Sequence, residues 1–210
     1  MTRLISGVAG GRRLKVPRTG VRPTGDRARE ALFNSLKSLV DLRGASVLDL
    51  YAGSGALGLE ALSRGAETVI FVESSPGVLP VLKQNLASVD LPGGRVVAGS
   101  VPTVVGGAPP ARFDLVLADP PYATPVDEVV GVLERLSQNG WLAPEAVVVV
   151  ERSSRDEPIE RAVAGPEVGL VRMDRATRHQ LQQCPRPEVG RQQELDREPS
   201  REQRPAERAR

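Results

Sequence analysis

The residues best suited to chemistry in this chain are Asp119-Pro120-Pro121-Tyr122, which directly follow an apolar run. Asp119 and the carbonyl of Pro120 are two hydrogen-bond acceptors, and they suit the two hydrogens of an exocyclic NH₂ group. Such bonding would draw the nitrogen out of ring conjugation and direct its lone pair at a methyl donor. The prolines stiffen the turn, and Tyr122 offers a flat face for a flipped-out base, a contact worth ~1–3 kcal/mol. The motif favours a base-binding site over the alternative, an ordinary strand-ending turn with a surface tyrosine.

A second candidate is the glycine-rich segment Val47–Gly58, which lies between an apolar run and a helical pattern. Its string GSGALG suits either a dinucleotide or S-adenosylmethionine. Asp49 favours S-adenosylmethionine, because a carboxylate would repel a pyrophosphate and this cofactor has none. Glu73 ends the next apolar run, where an acid can bind both hydroxyls of a ribose. The alternatives are an ordinary tight turn for the glycines and a helix cap for Asp49.

Both motifs must be positioned by the elements around them. From Ser46 onward, apolar runs alternate four times with helical patterns: SVLDL, TVIFV, RVVAG, FDLVLA and AVVVV. These runs are apolar throughout, which is typical of strands that are covered by helices on both faces. The pattern predicts a doubly wound α/β sheet with both motifs at the carboxyl ends of strands. The segment 102–110, rich in Pro and Gly, is predicted to be a loop, and Pro80 is expected in the first turn of a helix.

The composition fits one domain plus an appendage. The chain has 210 residues, of which 40% are hydrophobic and only 3% aromatic, so the core must be aliphatic. One cysteine (Cys184) and one histidine (His179) cannot form a disulfide framework or the usual zinc site. A chain with one cysteine suits a reducing cytoplasm, which is the setting we expect. Neither a membrane-spanning apolar run nor a secretion signal is apparent.

Charge is distributed unevenly along the chain. Residues 1–40 hold nine Lys and Arg against two acids, a net +7. Residues 41–170 hold nine against seventeen, a net −8, and residues 171–210 hold ten against seven, a net +3. A basic arm on an acidic body favours a polyanionic partner. The alternative is that the arginines only solubilise an exposed edge.

These observations predict three regions. Residues 1–40 form a basic hairpin, with strands at 4–5 and 14–16, followed by a helix that Thr24 or Asp26 can cap. Residues 41–168 form the α/β domain. Residues 169–210 have few large apolar side chains and many Arg, Gln, Glu and Pro. That composition buries too little to offset the entropy of ordering, so we expect the third region to be mostly disordered.

Several segments resemble a known family. The Asp119–Tyr122 motif resembles the Asp/Asn-Pro-Pro-Tyr motif of amino methyltransferases that act on adenine N6 or guanine N2. More segments are similar to the bacterial 16S rRNA (guanine-N2)-methyltransferases of the RsmD type, over about residues 1–155. They are GGRRL from Gly10, RPTGDRAREALFN from Arg22, LDLYAGSGALGLEALSRGA from Leu48, FVE from Phe71 and ADPPY from Ala118.

The resemblance implies a Rossmann-like class I methyltransferase fold and methylation of guanine N2 in 16S rRNA, free or within a small-subunit assembly intermediate. It implies a monomer with S-adenosylmethionine as cofactor and no metal. The residues implied to hold the base are Asp119, Pro120 and Tyr122. Those implied at the cofactor are Asp49, Tyr51, Gly53, Gly55, Glu73, Ser74 and Ser100. Those implied at the RNA are Arg12, Arg13, Arg22, Thr24, Arg27 and Arg29.

Three other functions stay open. A DNA adenine-N6 methyltransferase would share the chemistry but would usually need a separate recognition domain. A nicotinamide oxidoreductase would leave the Asp119–Tyr122 motif unexplained. A non-catalytic RNA-binding protein would explain the basic arm but not the acceptors beside a cofactor loop. The tail departs from the family, whose members complete the sheet with an aromatic hairpin. A shift of reading frame near Gly169 would produce such a tail, and sequencing the gene there tests that hypothesis.

Overall fold

The computed structural model describes residues 2–17, 25–152, 169–174 and 181–183. A small hairpin comes first, and a larger sheet with its helices follows. The hairpin strands are β1 (Thr2–Arg3) and β2 (Arg13–Leu14). The strands of the main sheet are β3 (Ser46–Leu50), β4 (Thr68–Glu73), β5 (Gly94–Ala98), β6 (Phe113–Ala118), β7 (Leu142–Arg152), β8 (Gly169–Asp174) and β9 (Leu181–Gln183). The helices are α1 (Asp26–Leu36), α2 (Ala56–Ser63), α3 (Leu79–Val89), α4 (Val101–Val105) and α5 (Val126–Gln138).

The order of strands in the main sheet creates the place for a site. The order is β5-β4-β3-β6-β7-β8-β9, and all neighbours are parallel except β8 and β9. The chain runs outward from β3 to β5 and then returns to place β6 on the other side of β3. In open α/β sheets, ligands bind at such a switch point, beyond the carboxyl ends of the strands. The predicted doubly wound α/β fold is confirmed.

Apolar side chains cover both faces of this sheet. One core cluster joins the hairpin, α1, α2 and α3 to the sheet, and it includes Phe33, Leu59 and Phe71. The other cluster joins α4 and α5 to the opposite face, where the rings of Phe113 and Trp141 stack with centroids 5.8 Å apart. Burial on two faces explains why the strands are apolar throughout. Among the described helices, none is both long and apolar enough to cross a membrane.

Two local predictions were wrong in detail. Residues 101–105, which overlap the predicted loop, form the short helix α4. Pro102 lies in the first turn of that helix, where its missing N–H is not needed, and Ser100 is the N-cap. The hairpin strands are Thr2–Arg3 and Arg13–Leu14 rather than 4–5 and 14–16. Pro80 lies in the first turn of α3, as expected.

The boundary predicted at residue 168 was also wrong for part of the tail. Strand β8 pairs in parallel with β7, and β9 pairs antiparallel with β8. Leu170 and Val171 are buried, so a short apolar run inside a mostly polar segment is enough to extend the sheet. The prediction was made from the average composition of the tail, which is mostly polar and does not show so short an apolar run. His179, Cys184 and the rest of the tail lie outside the described residues.

Candidate active site

Three carboxylates meet at the carboxyl ends of adjacent strands. Asp49 is in β3, and Glu73 is the last residue of β4. Asp119 directly follows Ala118 of β6, which pairs with Leu50 of β3. The switch point therefore brings together acids that are far apart in the chain, as the sequence predicted.

Asp49 is buried at the base of the site, with 1% of its surface exposed. Burial raises the pKa of its carboxyl well above the usual range, and the carboxylates of Asp119 and Glu73 raise it further. Opposing them, the backbone N–H of Gly58 donates to Oδ2 at 2.9 Å and favours the ionised form. Since Gly58 lies in the first turn of α2, Asp49 caps that helix, the alternative that the sequence left open. The clustered acids also make this point favourable for a positive charge.

Glu73 fixes the two loops that border the site. Its Oε2 accepts the N–H of Gly53 at 2.9 Å, and its Oε1 accepts the N–H of Ser75 at 2.7 Å. Each carboxylate oxygen has a second lone pair, which leaves acceptor capacity for the hydroxyls of a ligand. The carboxylate is thus held in one position while remaining able to bind.

The glycine loop depends on backbone conformations that few other residues adopt. Gly53 has φ 57° and Gly55 has φ 81°. A Cβ at Gly55 would lie 2.5 Å from Cδ1 of Leu82, so the Leu82 side chain would have to shift. At Gly55, the backbone conformation and the nearby side chain of Leu82 therefore both favour glycine.

Tyr51 begins the same loop, with φ 58° in the left-handed region. Its side chain packs against the core cluster on the α5 side. Its hydroxyl is buried without a hydrogen-bond partner among the described residues. Burial, chiefly, and the nearby Glu128 raise the pKa of Tyr51 to about 12, against the effect of Arg152. The hydroxyl is therefore not accessible to a ligand in this structure, and the predicted contact of Tyr51 with a cofactor stays a prediction.

Ser74 and Ser100 follow β4 and β5 at this same edge, and both are exposed. The N–H of Gly99 donates to the carbonyl of Glu73 at 3.0 Å, which draws the start of α4 toward the site. The Ser100 hydroxyl is 2.6 Å from the hydroxyl of Thr103 and caps α4. Its predicted contact with a cofactor stays a prediction.

The turn after β6 begins partly buried and ends exposed. Asp119 is half-buried and Pro120 is buried, whereas Tyr122 is 67% exposed. Thr124 holds the far end of the turn in two ways: its N–H donates to the carbonyl of Pro121 at 3.0 Å, and its own carbonyl accepts from Nη1 of Arg152 at 3.0 Å. The ring is therefore open to solvent, and its stacking on a base stays a prediction. Sequence reasoning missed Arg152, although a buried charge that ends an apolar strand is a usable signal.

Arg29 was wrongly predicted to contact RNA. Its side chain is fully buried and forms ion pairs with Asp26 at 3.0 Å and Glu60 at 3.7 Å. It also donates to Oγ1 of Thr2 at 3.1 Å and to the carbonyl of Arg3. The residue lies on the inner face of α1 and joins that helix to the hairpin and α2. A phosphate cannot reach it.

The other predicted RNA contacts differ in how they are placed. Arg13 and Arg27 are exposed on the hairpin and on α1. Arg12 is exposed as well, but it donates to the carbonyl of Val89 at the end of α3. Arg22 and Thr24 lie outside the described residues. Binding of RNA by this surface stays a prediction, and Arg13 and Arg27 are the residues best placed for it.

Three buried polar residues that sequence reasoning passed over attach residues 2–17, here called the N-terminal arm, to the main domain. They lie on α2 and α3 and bind backbone groups of the arm: Glu60, Ser63 and Asn85. No local pattern marks them, because their partners are far away in the sequence. Within the described ranges, no group of three or more His, Cys, Asp or Glu could hold a metal ion.

Comparison with known proteins agrees with this site. The family model described as conserved hypothetical protein 95 matches residues 2–176. The chain is 42% identical to ribosomal RNA small subunit methyltransferase D of Escherichia coli, over 71% of this chain and 73% of the relative. It is 37% identical to the protein of the same name from Haemophilus influenzae, over 75% and 81% of the two chains.

Solved structures show the same likeness. The Escherichia coli methyltransferase yhhF superposes with a TM-score of 0.61 at 37% identity, over 71% of this chain and 78% of the other. The Haemophilus influenzae methylase HI0767 gives 0.63 at 32% identity, over 81% and 89%. Sequence, sheet order and site therefore lead to one assignment. The chain belongs to the conserved hypothetical protein 95 family, in the branch of the RsmD-type ribosomal RNA small subunit methyltransferases.

Proposed function

We propose that this chain transfers a methyl group from S-adenosylmethionine to the exocyclic N2 of a guanine in small-subunit ribosomal RNA. The observation that carries the proposal is the juxtaposition of Asp49, Glu73 and Asp119 at the switch point, beside an exposed Tyr122. The choice of RNA follows the relatives' names, and the choice of guanine N2 follows the resemblance of the motifs. We propose that it acts as a monomer in the cytoplasm.

The charge of the site fits this cofactor. Burial chiefly, and then the two neighbouring carboxylates, raise the pKa of Asp49, so a positive ligand would relieve the repulsion among these acids. A pyrophosphate would increase it. Glu73 would accept the ribose hydroxyls, and the backbone at Gly53 and Gly55 would lie against the ligand, with Ser100 near the adenine. When bound, S-adenosylmethionine supplies an electrophilic methyl group on a sulfonium.

The turn after β6 would hold the target amine. The Asp119 carboxylate and the Pro120 carbonyl accept its two hydrogens, while the Tyr122 ring stacks on the base. Arg152 holds the end of the turn through Thr124, which keeps the acceptors in place. The amine loses a proton during or after transfer, so no strong general base is needed. Positioning and electrostatics supply the rate.

The N-terminal arm and α1 would together meet the RNA backbone. Residues 1–40 carry a net +7, from nine cations and two acids, whereas residues 41–170 carry a net −8, from nine and seventeen. Arg13 and Arg27 offer exposed cations on this side of the molecule. Phosphate contacts of this kind position RNA without selecting a base, so the choice of base is left to the turn.

Two assays test the proposal together. Calorimetric titration should show binding of S-adenosylmethionine and none of NAD⁺. With methyl-labelled cofactor, label should enter small-subunit RNA or its assembly intermediates and not duplex DNA. Binding of NAD⁺ alone would favour an oxidoreductase, and label in duplex DNA would favour a DNA methyltransferase. If the chain binds RNA but transfers no methyl group to any small-subunit substrate, the result would favour a non-catalytic RNA-binding protein.

A further inference from the structure

We propose that Asn85 is a positioning residue that couples the N-terminal arm to the glycine loop, so that RNA on the arm and cofactor on the loop strengthen each other's binding. The inference rests on the proposed function for the identity of the two ligands. The link between arm and loop rests on the structure of the chain itself.

The Asn85 side chain binds both segments at once. It lies in α3 and is 1% exposed. Its Oδ1 accepts the N–H of Lys15 at 2.8 Å, and its Nδ2 donates to the carbonyl of Lys15 at 2.9 Å. The same Nδ2 donates to the carbonyl of Ser54 at 2.8 Å. One planar amide therefore joins both backbone groups of Lys15 in the arm to the carbonyl of Ser54 in the loop.

The bond to Ser54 falls where the loop has most conformational freedom. Ser54 lies between Gly53 and Gly55, which both have positive φ. Glycine permits rotation that other residues resist, so an external bond is needed to fix the carbonyl between them. Glu73 fixes the N–H of Gly53, and Asn85 fixes the carbonyl of Ser54. The loop conformation therefore depends on Asn85 as well as on Glu73.

The bonds to Lys15 fall where the arm is basic. Lys15 directly follows β2, which contains the exposed Arg13. Arg12 reaches the same helix as Asn85, through the carbonyl of Val89. A displacement of the arm on α3 would tilt the Asn85 amide, and a rigid planar group cannot tilt without stretching its bond to Ser54. The coupling thus runs through one buried group that both segments share.

Ser63 offers a matched control on the same arm. Its Oγ accepts the N–H of Ala9 at 3.0 Å and donates to the carbonyl of Ser6. It lies at the far end of α2, and none of its hydrogen bonds in the described part of the chain reaches the glycine loop. Loss of this hydroxyl should loosen the arm without touching the cofactor side.

The decisive experiment measures how much a cofactor analogue changes RNA affinity. A fragment of small-subunit RNA is titrated into the full chain with and without S-adenosylhomocysteine, which cannot react. Coupling of this kind is typically at least about 5-fold, so the wild type should bind RNA about 5-fold or more tightly with the analogue. Asn85→Ala should weaken binding of the analogue and reduce the coupling to about 1. Ser63→Ala should weaken RNA binding and retain the coupling.

Coupling of wild-type size in Asn85→Ala would overturn the inference, and so would its loss in Ser63→Ala. Asn85→Asp sharpens the test, because it keeps the acceptor for the Lys15 N–H and loses both donated bonds. It should weaken binding of the analogue even without RNA. If the variants fold poorly, hydrogen exchange of the wild type decides. The analogue should slow exchange at the Lys15 amide, and an unchanged rate there would contradict the coupling.

Failure of the inference can be told apart from failure of the proposed function. A wild type that methylates RNA while Asn85→Ala keeps full coupling refutes only the inference. A wild type that binds neither ligand refutes the proposed function. In that case, exchange in the free protein still tests the link: Asn85→Ala should speed exchange at both the arm and the loop, and a change in only one of them would refute it.

Discussion

The two sides of the site lie at the same edge of the sheet, yet they are built differently. On the cofactor side, Asp49 and Glu73 are buried, and their carboxylates accept backbone N–H groups at 2.7–2.9 Å. On the acceptor side, Asp119 is half-buried and Tyr122 is 67% exposed. The cofactor side therefore contributes to folding as well as to the binding that we propose for it, whereas the acceptor side is open to the substrate that we propose. Substitutions should separate the two roles.

The largest effect is expected at Asp119. Asp119→Ala removes one of the two acceptors for the amine, and loss of one such electrostatic contact typically costs about 100- to 1,000-fold in turnover. Affinity for S-adenosylmethionine should fall far less than turnover, because the buried Asp49 and Glu73 remain to hold the cofactor. Single-turnover methyl transfer and calorimetry measure the two quantities. Asp127→Ala, which removes an exposed carboxylate from α5, is the control, and unchanged turnover in Asp119→Ala would remove that residue from the mechanism.

A substitution at Glu73 should mainly change cofactor affinity and stability, in contrast to Asp119→Ala, which should mainly change turnover. In Glu73→Gln the amide nitrogen cannot accept, so either the N–H of Gly53 or that of Ser75 loses its partner. Hydrogen bonds to charged groups are worth about 1.5–3 kcal/mol, so cofactor affinity should fall about 10- to 100-fold and the melting temperature should drop. Glu67→Gln, at an exposed glutamate, should change neither. A Glu73→Gln protein with wild-type affinity and melting temperature would contradict the account of the cofactor side.

Tyr122 tests stacking on the acceptor side. Tyr122→Ala should raise KM for RNA about 5- to 100-fold, since a base stacked on an aromatic ring is worth about 1–3 kcal/mol. Tyr122→Phe keeps the ring and should stay close to wild type. Cofactor affinity and melting temperature should be unchanged in both variants, because the side chain is exposed. Equal losses in the Phe and Ala variants would assign the effect to the hydroxyl instead of the ring.

The smallest effect is a pH dependence from Asp49. Its pKa is raised in the folded state, so the folded protein binds this proton more tightly than the unfolded chain does. The free energy of unfolding should therefore fall as pH rises from the ordinary carboxyl pKa to the raised one, by at most about 1.4 kcal/mol per pH unit. Affinity for the cationic cofactor should rise over the same window, because the cation favours the ionised carboxylate.

Asp49→Asn isolates this contribution. Its amide oxygen can still accept the N–H of Gly58, so the cap on α2 is kept while the titrating group is lost. Thermal unfolding and cofactor titrations across pH should both become flatter in the variant. A wild type and variant with the same pH profiles would show that Asp49 does not titrate in this window.

The sequence was sufficient for features that depend on local pattern. Apolar runs that end in Asp49, Glu73 and Asp119 place acids at strand ends, and the order of the elements places those ends together. Arg29 shows the limit of what a local pattern can predict. Arg27 is the same residue type in the same motif, yet Arg27 is exposed and Arg29 is buried. The hairpin and Glu60 on α2 are distant in the sequence, and their contacts with Arg29 place it in the interior.

Long-range pairing explains the other differences. From the sequence, Asn85 is one polar residue of an amphipathic helix. Only the structure shows that it binds both the arm and the glycine loop. Strand β8 forms because β7 offers an open edge for the short apolar run at Leu170 and Val171. Such partners cannot be inferred from windows of sequence. Composition alone therefore assigned the start of the tail wrongly.

The most direct test of the central claim is the chemical identity of the product. Small-subunit RNA methylated by the chain in vitro is digested to nucleosides and analysed by mass spectrometry, with Asp119→Ala protein as the matched sample. The account predicts N2-methylguanosine from the wild type and almost none from the variant. A product methylated on adenine N6, or equal N2-methylguanosine from both proteins, would contradict it.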